Sequence, residues 1–117
     1  MKNYAIKSRV SNYQSQDDKD AAHKELFNQT RDDINSQDGL DRAVSFFVLN
    51  KCSFSGLTEN STFSKTASRS NFSFVGIEKL KKYSQLTEKW KITNIDYSEV
   101  MNAPGEDVFV FLDPPYD

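Results

Sequence analysis

The chain has 117 residues, a formal net charge of −2 and 37% apolar residues, with nine Phe, five Tyr and one Trp but a single Cys and a single His. That length permits one small domain, its aromatic content is too high for a wholly disordered chain, and Cys52 with His23 supplies neither an internal disulfide nor an ordinary structural zinc site. No run of about 18 apolar residues is present to span a membrane, and Met1-Lys2-Asn3-Tyr4 does not open a secretory signal; a cytoplasmic protein with no membrane contact and no metal is expected.

Charge is segregated along the chain. Residues 1–50 are roughly balanced, residues 51–91 hold eight basic against three acidic side chains, and residues 92–117 hold six acidic and no basic ones. The middle suits an anionic partner such as nucleic acid, and the end does not.

Residues 1–19 are polar and without period, and read as a loosely ordered arm. From Asp20, placed to cap a helix, Ala22, Leu26, Phe27, Thr30 and Ile34 recur at spacings of three and four. His23 falls on the charged face of that helix, where exposure is expected. After a turn at residues 35–39, Leu40, Ala43, Val44, Phe47 and Val48 define a second and stronger amphipathic helix, with Cys52 buried and unreactive at its end. Residues 52–75 hold seven Ser and four Phe with no sustained period, and read as a long irregular loop of the functional kind. A third helix is predicted over 76–89, with Ile77, Leu80 and Ser84 on one face. Residues 91–96 alternate like a short strand, and Val108-Phe109-Val110-Phe111-Leu112 is a continuous apolar run that suits a strand buried on both faces, hence a parallel sheet and an α/β class.

Asp113-Pro114-Pro115-Tyr116 follows that run directly. Two prolines end a strand, and in open α/β sheets ligands bind beyond the carboxyl ends of the strands. An aromatic amine is a poor nucleophile until acceptors localise its lone pair; the Asp113 carboxylate and the Pro114 carbonyl are two such acceptors, held by rigid proline, and Tyr116 can stack on a base taken out of the duplex. The plain alternative is a strand-ending turn with Tyr116 in the core.

Residues 109–116 resemble the catalytic motif of the adenine-specific DNA methyltransferases of the Dam type. Phe47-Val48-Leu49-Asn50-Lys51-Cys52-Ser53-Phe54-Ser55-Gly56-Leu57 is similar to that family's LN-x-x-x-F-x-GL segment in or beside its DNA-recognition region, and residues 90–99 are similar to the stretch whose acidic residue, here Asp96, meets the adenine ring of the cofactor. The resemblance implies a partial Rossmann-like methyltransferase fold, mostly helical with two short strands and a long recognition loop. It implies a polar arm over 1–19, a helical DNA-recognition region over 20–90 and a partial catalytic sheet over 91–117. Methyl would pass from S-adenosylmethionine to the exocyclic amine of a flipped adenine in double-stranded DNA, as in restriction-modification. By the same resemblance Asp113, Pro114, Pro115 and Tyr116 are catalytic, Asp96 binds cofactor, and Lys51, Lys65 and Arg69 contact DNA. After the GL pair, where many members carry Arg and Asn, this chain reads Thr58-Glu59-Asn60, and it has no glycine-rich F-x-G-x-G loop. The chain is therefore expected to be an incomplete piece that binds S-adenosylmethionine weakly or not at all by itself, and that dimerises or is complemented by a second methyltransferase fragment. Two alternatives stand beside this: a non-catalytic DNA-binding or split-enzyme fragment, and an enzyme acting on the amine of cytosine.

Overall fold

The computed structural model describes residues 13–57 and 60–114. Its elements, in chain order, are helix α1 (Gln16–Asp33), a 3-10 turn (Ile34–Ser36), α2 (Gly39–Cys52), a second 3-10 turn (Phe54–Gly56), α3 (Lys65–Asn71), α4 (Phe74–Thr87) and α5 (Tyr97–Met101). The described residues are thus mostly helical. They divide into two compact units between Gln85 and Leu86.

α1 begins earlier than its apolar period does. Ser15 is the cap, accepting from Asp18 N at 3.1 Å, and Asp17 and Asp18 in the first turn complement the helix dipole. Asp20, expected as the cap, lies inside the helix and is buried, as is His23, expected on the exposed face. Both departures have one cause: a polar partner on another element, described below, draws these side chains inward. The polar arm accordingly ends before Gln16, and its residues 1–12 lie outside those described.

In α2 the buried face is Ser45, Val48, Leu49 and Cys52, while Leu40 is exposed and Val44 and Phe47 are half-buried. This is the predicted helix turned by about one residue. Apolar side chains cover so much of its circumference that two stripes have helical spacing, and Ser45 joins the inner one because its hydroxyl bonds the Gln37 side chain. Arg42 Nη1 donates to Ile34 O at 3.0 Å and ties the two helices across their connection.

Phe27, Ile34, Val48, Leu49, Cys52 and Phe72 form the core of this unit, with Leu26, Phe47, Phe63 and Ile77 packed around it. Burying side chains of this size contributes about 1.5–3 kcal/mol each. Phe27 on Phe63 at 5.8 Å and His23 on Phe72 at 5.0 Å are edge-to-face ring contacts. Phe63 and Phe72 come from the segment expected to be irregular. That segment instead contains α3, capped by Ser64, which accepts from Ala67 N at 3.2 Å. Cap and helix are hard to see in sequence because Lys65–Asn71 has a single apolar side chain, Ala67. α4 starts two residues before the predicted third helix, where Ser73 Oγ accepts from Gly76 N at 3.1 Å.

The second unit contains α5, with Asp96 as its cap. Every described residue from 88 to 114 is exposed. Neither 91–96 nor 108–112, the two segments read as strands, forms a ladder among the described residues; the β-pairing there is one isolated antiparallel bridge, Ser53 with Phe63. A strand's backbone groups are satisfied only by a neighbouring strand, and these runs, without one, form no regular structure.

Candidate functional site

The segment similar to LN-x-x-x-F-x-GL forms a fixed turn at the end of α2. Asn50 Nδ2 donates to Gly56 O at 3.0 Å, and the Ser53 hydroxyl donates to Leu57 O. Gly56 has φ +70°, and a Cβ placed there would stand 3.1 Å from Asn50 Nδ2, so glycine serves both the left-handed backbone and the close approach of that amide. Ser55 also has positive φ, 55°. The chain then returns along itself: Ser53 bridges Phe63, and Ser64 N donates to Cys52 O at 2.8 Å. The result is a short closed loop whose apolar side chains Phe54 and Leu57 are 68% and 59% exposed. Sequence reading assigned no role to these two. The signal was present in the pair of an aromatic and a leucine around a glycine, but their exposure depends on backbone angles that sequence spacing does not reveal. Thr58 and Glu59 lie outside the described residues.

The cations read as DNA contacts differ in their surroundings. Lys51, in the last turn of α2, is half-buried with Nζ 5.7 Å from the Phe47 ring centre, a cation–π contact. Lys65 is exposed in the first turn of α3, where the helix dipole disfavours a positive charge. Arg69 is engaged by Asp20: its Nε lies 3.1 Å from each carboxylate oxygen and its Nη2 2.5 Å from Oδ2. Gln16 Nε2 adds a bond to Asp20 Oδ1 at 3.0 Å. The guanidinium bonds outweigh burial and hold the Asp20 carboxyl down at about 2. Nothing in the sequence announces this pair, whose members are 49 residues apart.

Beside that pair lies a second polar contact. His23 Nδ1 is 2.7 Å from Ser68 Oγ, and burial pushes the neighbouring Cys52 thiol up to about 11 against the lowering influence of Ser68. A thiol so placed is protonated and unreactive.

In the second unit, Asp96 Oδ1 accepts from Ser98 N at 2.9 Å and from Ser98 Oγ at 2.5 Å, and these bonds, the hydroxyl's first, lower its pKa. Asp96 is thus an ionised, exposed cap, and both Ser98 bonds use the same oxygen. Asp113 and Pro114 are exposed at the end of the apolar run; Pro115 and Tyr116 lie outside the described residues. Among the described residues there is no group of His, Cys, Asp and Glu able to hold a metal ion, and no helix long and apolar enough to cross a membrane.

Comparison with known protein families matches residues 1–117 to the D12 class N6 adenine-specific DNA methyltransferases. The chain belongs to that family. Neither curated proteins nor solved structures gave a match. The methyltransferases of this family act on adenine in DNA and use S-adenosylmethionine.

Proposed function

We propose that this chain carries the DNA-contacting and amine-binding elements of a site-specific adenine methyltransferase. The observation that carries the reading is the Asp113-Pro114-Pro115-Tyr116 motif inside a chain matched to the D12 class over its whole length. DNA contact is assigned to the closed turn at 53–57, flanked by Lys51 and Lys65: cations oppose phosphates, and an exposed aromatic on a stiff backbone can wedge against or stack on a base. Arg69, committed to Asp20, supports the turn and offers its exposed flank to phosphate.

For the chemistry, Asp113 accepts one hydrogen bond from the exocyclic amine and the Pro114 carbonyl accepts the other, which localises the nitrogen lone pair for attack. Tyr116 stacks on the flipped adenine, and Pro115 stiffens the backbone between them. S-adenosylmethionine, when bound, supplies the electrophilic methyl group. Asp96 suits it in chemistry, since an exposed carboxylate kept ionised by Ser98 presents a second oxygen, Oδ2, as acceptor. The acidic tail suits a cationic cofactor better than it suits phosphate. The segments 91–96 and 108–112 become strands of a Rossmann-like sheet when neighbouring strands are supplied, by a second copy or a complementing fragment. A cytoplasmic location and a role in restriction-modification fit this reading.

The exposure of every described residue from 88 to 114 favours one second reading, a DNA-binding fragment that is catalytically silent without a complementing piece. The test is to titrate S-adenosylmethionine into the full chain by calorimetry and to assay methyl transfer to adenine-containing duplexes and to duplexes of G·C pairs alone. Transfer to adenine that falls about 10²-fold or more in Asp113→Ala supports the first reading. Transfer indifferent to Asp113 overturns it, and DNA binding with neither cofactor binding nor transfer establishes the second.

A further inference from the structure

α3 is docked by polar bonds rather than by an apolar face. It has seven residues and one apolar side chain, Ala67, and its buried residue is Ser68, with no exposed surface. A helix this short does not persist alone in water. Ser68 contacts His23, the next residue, Arg69, forks onto Asp20, and Asp20 and His23 stand three residues apart on one face of α1. Adjacent side chains of α3 therefore meet neighbouring positions of α1.

We infer that Asp20 and His23 are positioning residues: acting through Arg69 and Ser68, they clamp α3 onto α1 and so fix Lys65 and the turn at 53–57 for DNA contact, and the His23 half of the clamp opens when its imidazole is protonated. The inference rests on the DNA-contact reading of that turn. The mechanical link is short, since the Ser64–Cys52 backbone bond and the Ser53–Phe63 bridge join the start of α3 to the Cys52–Ser53 end of the turn.

Sensitivity to protons follows from what surrounds the ring. His23 is 2% exposed, and its Nε2 is buried without a hydrogen-bond partner among the described residues. A neutral imidazole needs one partner for its single N–H; an imidazolium has two N–H groups, and the second meets no acceptor among the described residues. The carboxylate of Asp20 is already engaged by Arg69 and Gln16. The charged groups that act on the ring are Lys19 and Asp20 on α1; Arg69 and Lys65 on α3 act on Asp20 in turn, Cys52 on α2 meets the same Ser68, and Tyr13 stands 6.4 Å from the ring, edge-on. Burial first and Lys19 second disfavour the charged ring, against the pull of Asp20, so its pKa lies below the ordinary histidine value. The docked state is then fully favoured above that ordinary value, about 6.5, and weakens as pH falls through it toward the folded value.

The test has two arms on the full chain. Amide hydrogen exchange without DNA, corrected for intrinsic rates, is followed from about pH 7.5 to about pH 5.5. The peptide 60–72 is expected to lose about tenfold in protection while α2 keeps its own. Duplex affinity is then measured by fluorescence anisotropy at constant ionic strength over the same range. The unsubstituted chain is expected to bind about tenfold more weakly at the acid end, against the general gain in affinity that added positive charge brings, while His23→Gln, which can bond Ser68 without titrating, gives a flat profile. Unchanged protection of 60–72, or a His23→Gln profile parallel to that of the unsubstituted chain, overturns the inference. Loss of protection without DNA binding at any pH overturns the DNA reading and the positioning role with it.

Discussion

The second unit of this chain is the richer in apolar side chains, with 14 among residues 86–117 against 29 among residues 1–85, and it uses them differently. Before Gln85, Phe27, Ile34, Val48, Leu49, Cys52 and Phe72 are buried against one another, and polar side chains at the margin are paired. After Leu86, Trp90, Ile92, Ile95, Tyr97, Val100 and Val108–Leu112 are all exposed, Phe109 to 89%. The difference lies in the backbone. A helix satisfies its own hydrogen bonds and needs only a second helix to cover its stripe, whereas a strand needs a neighbour on each side before its apolar faces can pack. Apolar content alone does not make a core; a local way of satisfying the peptide groups comes first.

The contrast can be broken most sharply by substitution. Leu49→Ala in the core is expected to lower stability by about 2–5 kcal/mol, read by urea denaturation with far-UV circular dichroism, while Phe109→Ser leaves the same transition within about 0.5 kcal/mol. Equal effects would mean that the tail shares the core. Asp20→Asn should reduce the thermal midpoint and change its pH dependence. The Asp20 carboxyl lies at about 2, below the ordinary carboxylate value, so its contribution is complete above that ordinary value and is lost as pH falls toward 2. Thermal melts from neutral to acid pH should show this loss in the unsubstituted chain and a shallower acid decline in Asp20→Asn. Gly56→Ala is expected to destabilise by about 1 kcal/mol, since it strains a left-handed backbone and crowds Asn50. Ser15→Ala should remove the α1 cap at a cost of about 0.5–1 kcal/mol, visible as faster hydrogen exchange in the first turn.

Much of the helical unit was legible in the sequence because its period is local. The apolar spacing of Leu26, Phe27, Thr30 and Ile34, and that of Val44, Phe47 and Val48, located α1 and α2 although it misjudged which edge of α2 turns inward. What escaped was set by contacts distant in sequence. Asp20 reads as a cap until Arg69 claims it, His23 reads as exposed until Ser68 and Phe72 enclose it, and α3 has no apolar period because its docking is polar. For the site, Asp113-Pro114-Pro115-Tyr116 and the segment ending Phe54-Ser55-Gly56-Leu57 were legible as motifs, and the latter has gained a geometry: a locked turn that keeps two apolar side chains in solvent. The strand assignments rested on composition, and pairing is a property of neighbours that composition does not contain.

The division of labour between the units is tested most directly by duplex affinity of the full chain, measured by fluorescence anisotropy for Phe54→Ala and Asp113→Ala side by side. Phe54→Ala is expected to weaken binding by about 1–3 kcal/mol, the range for loss of one aromatic–base contact, and Asp113→Ala to leave it unchanged. Unaltered affinity in Phe54→Ala, or an equal loss in Asp113→Ala, would contradict the assignment of DNA contact to the turn at the end of α2.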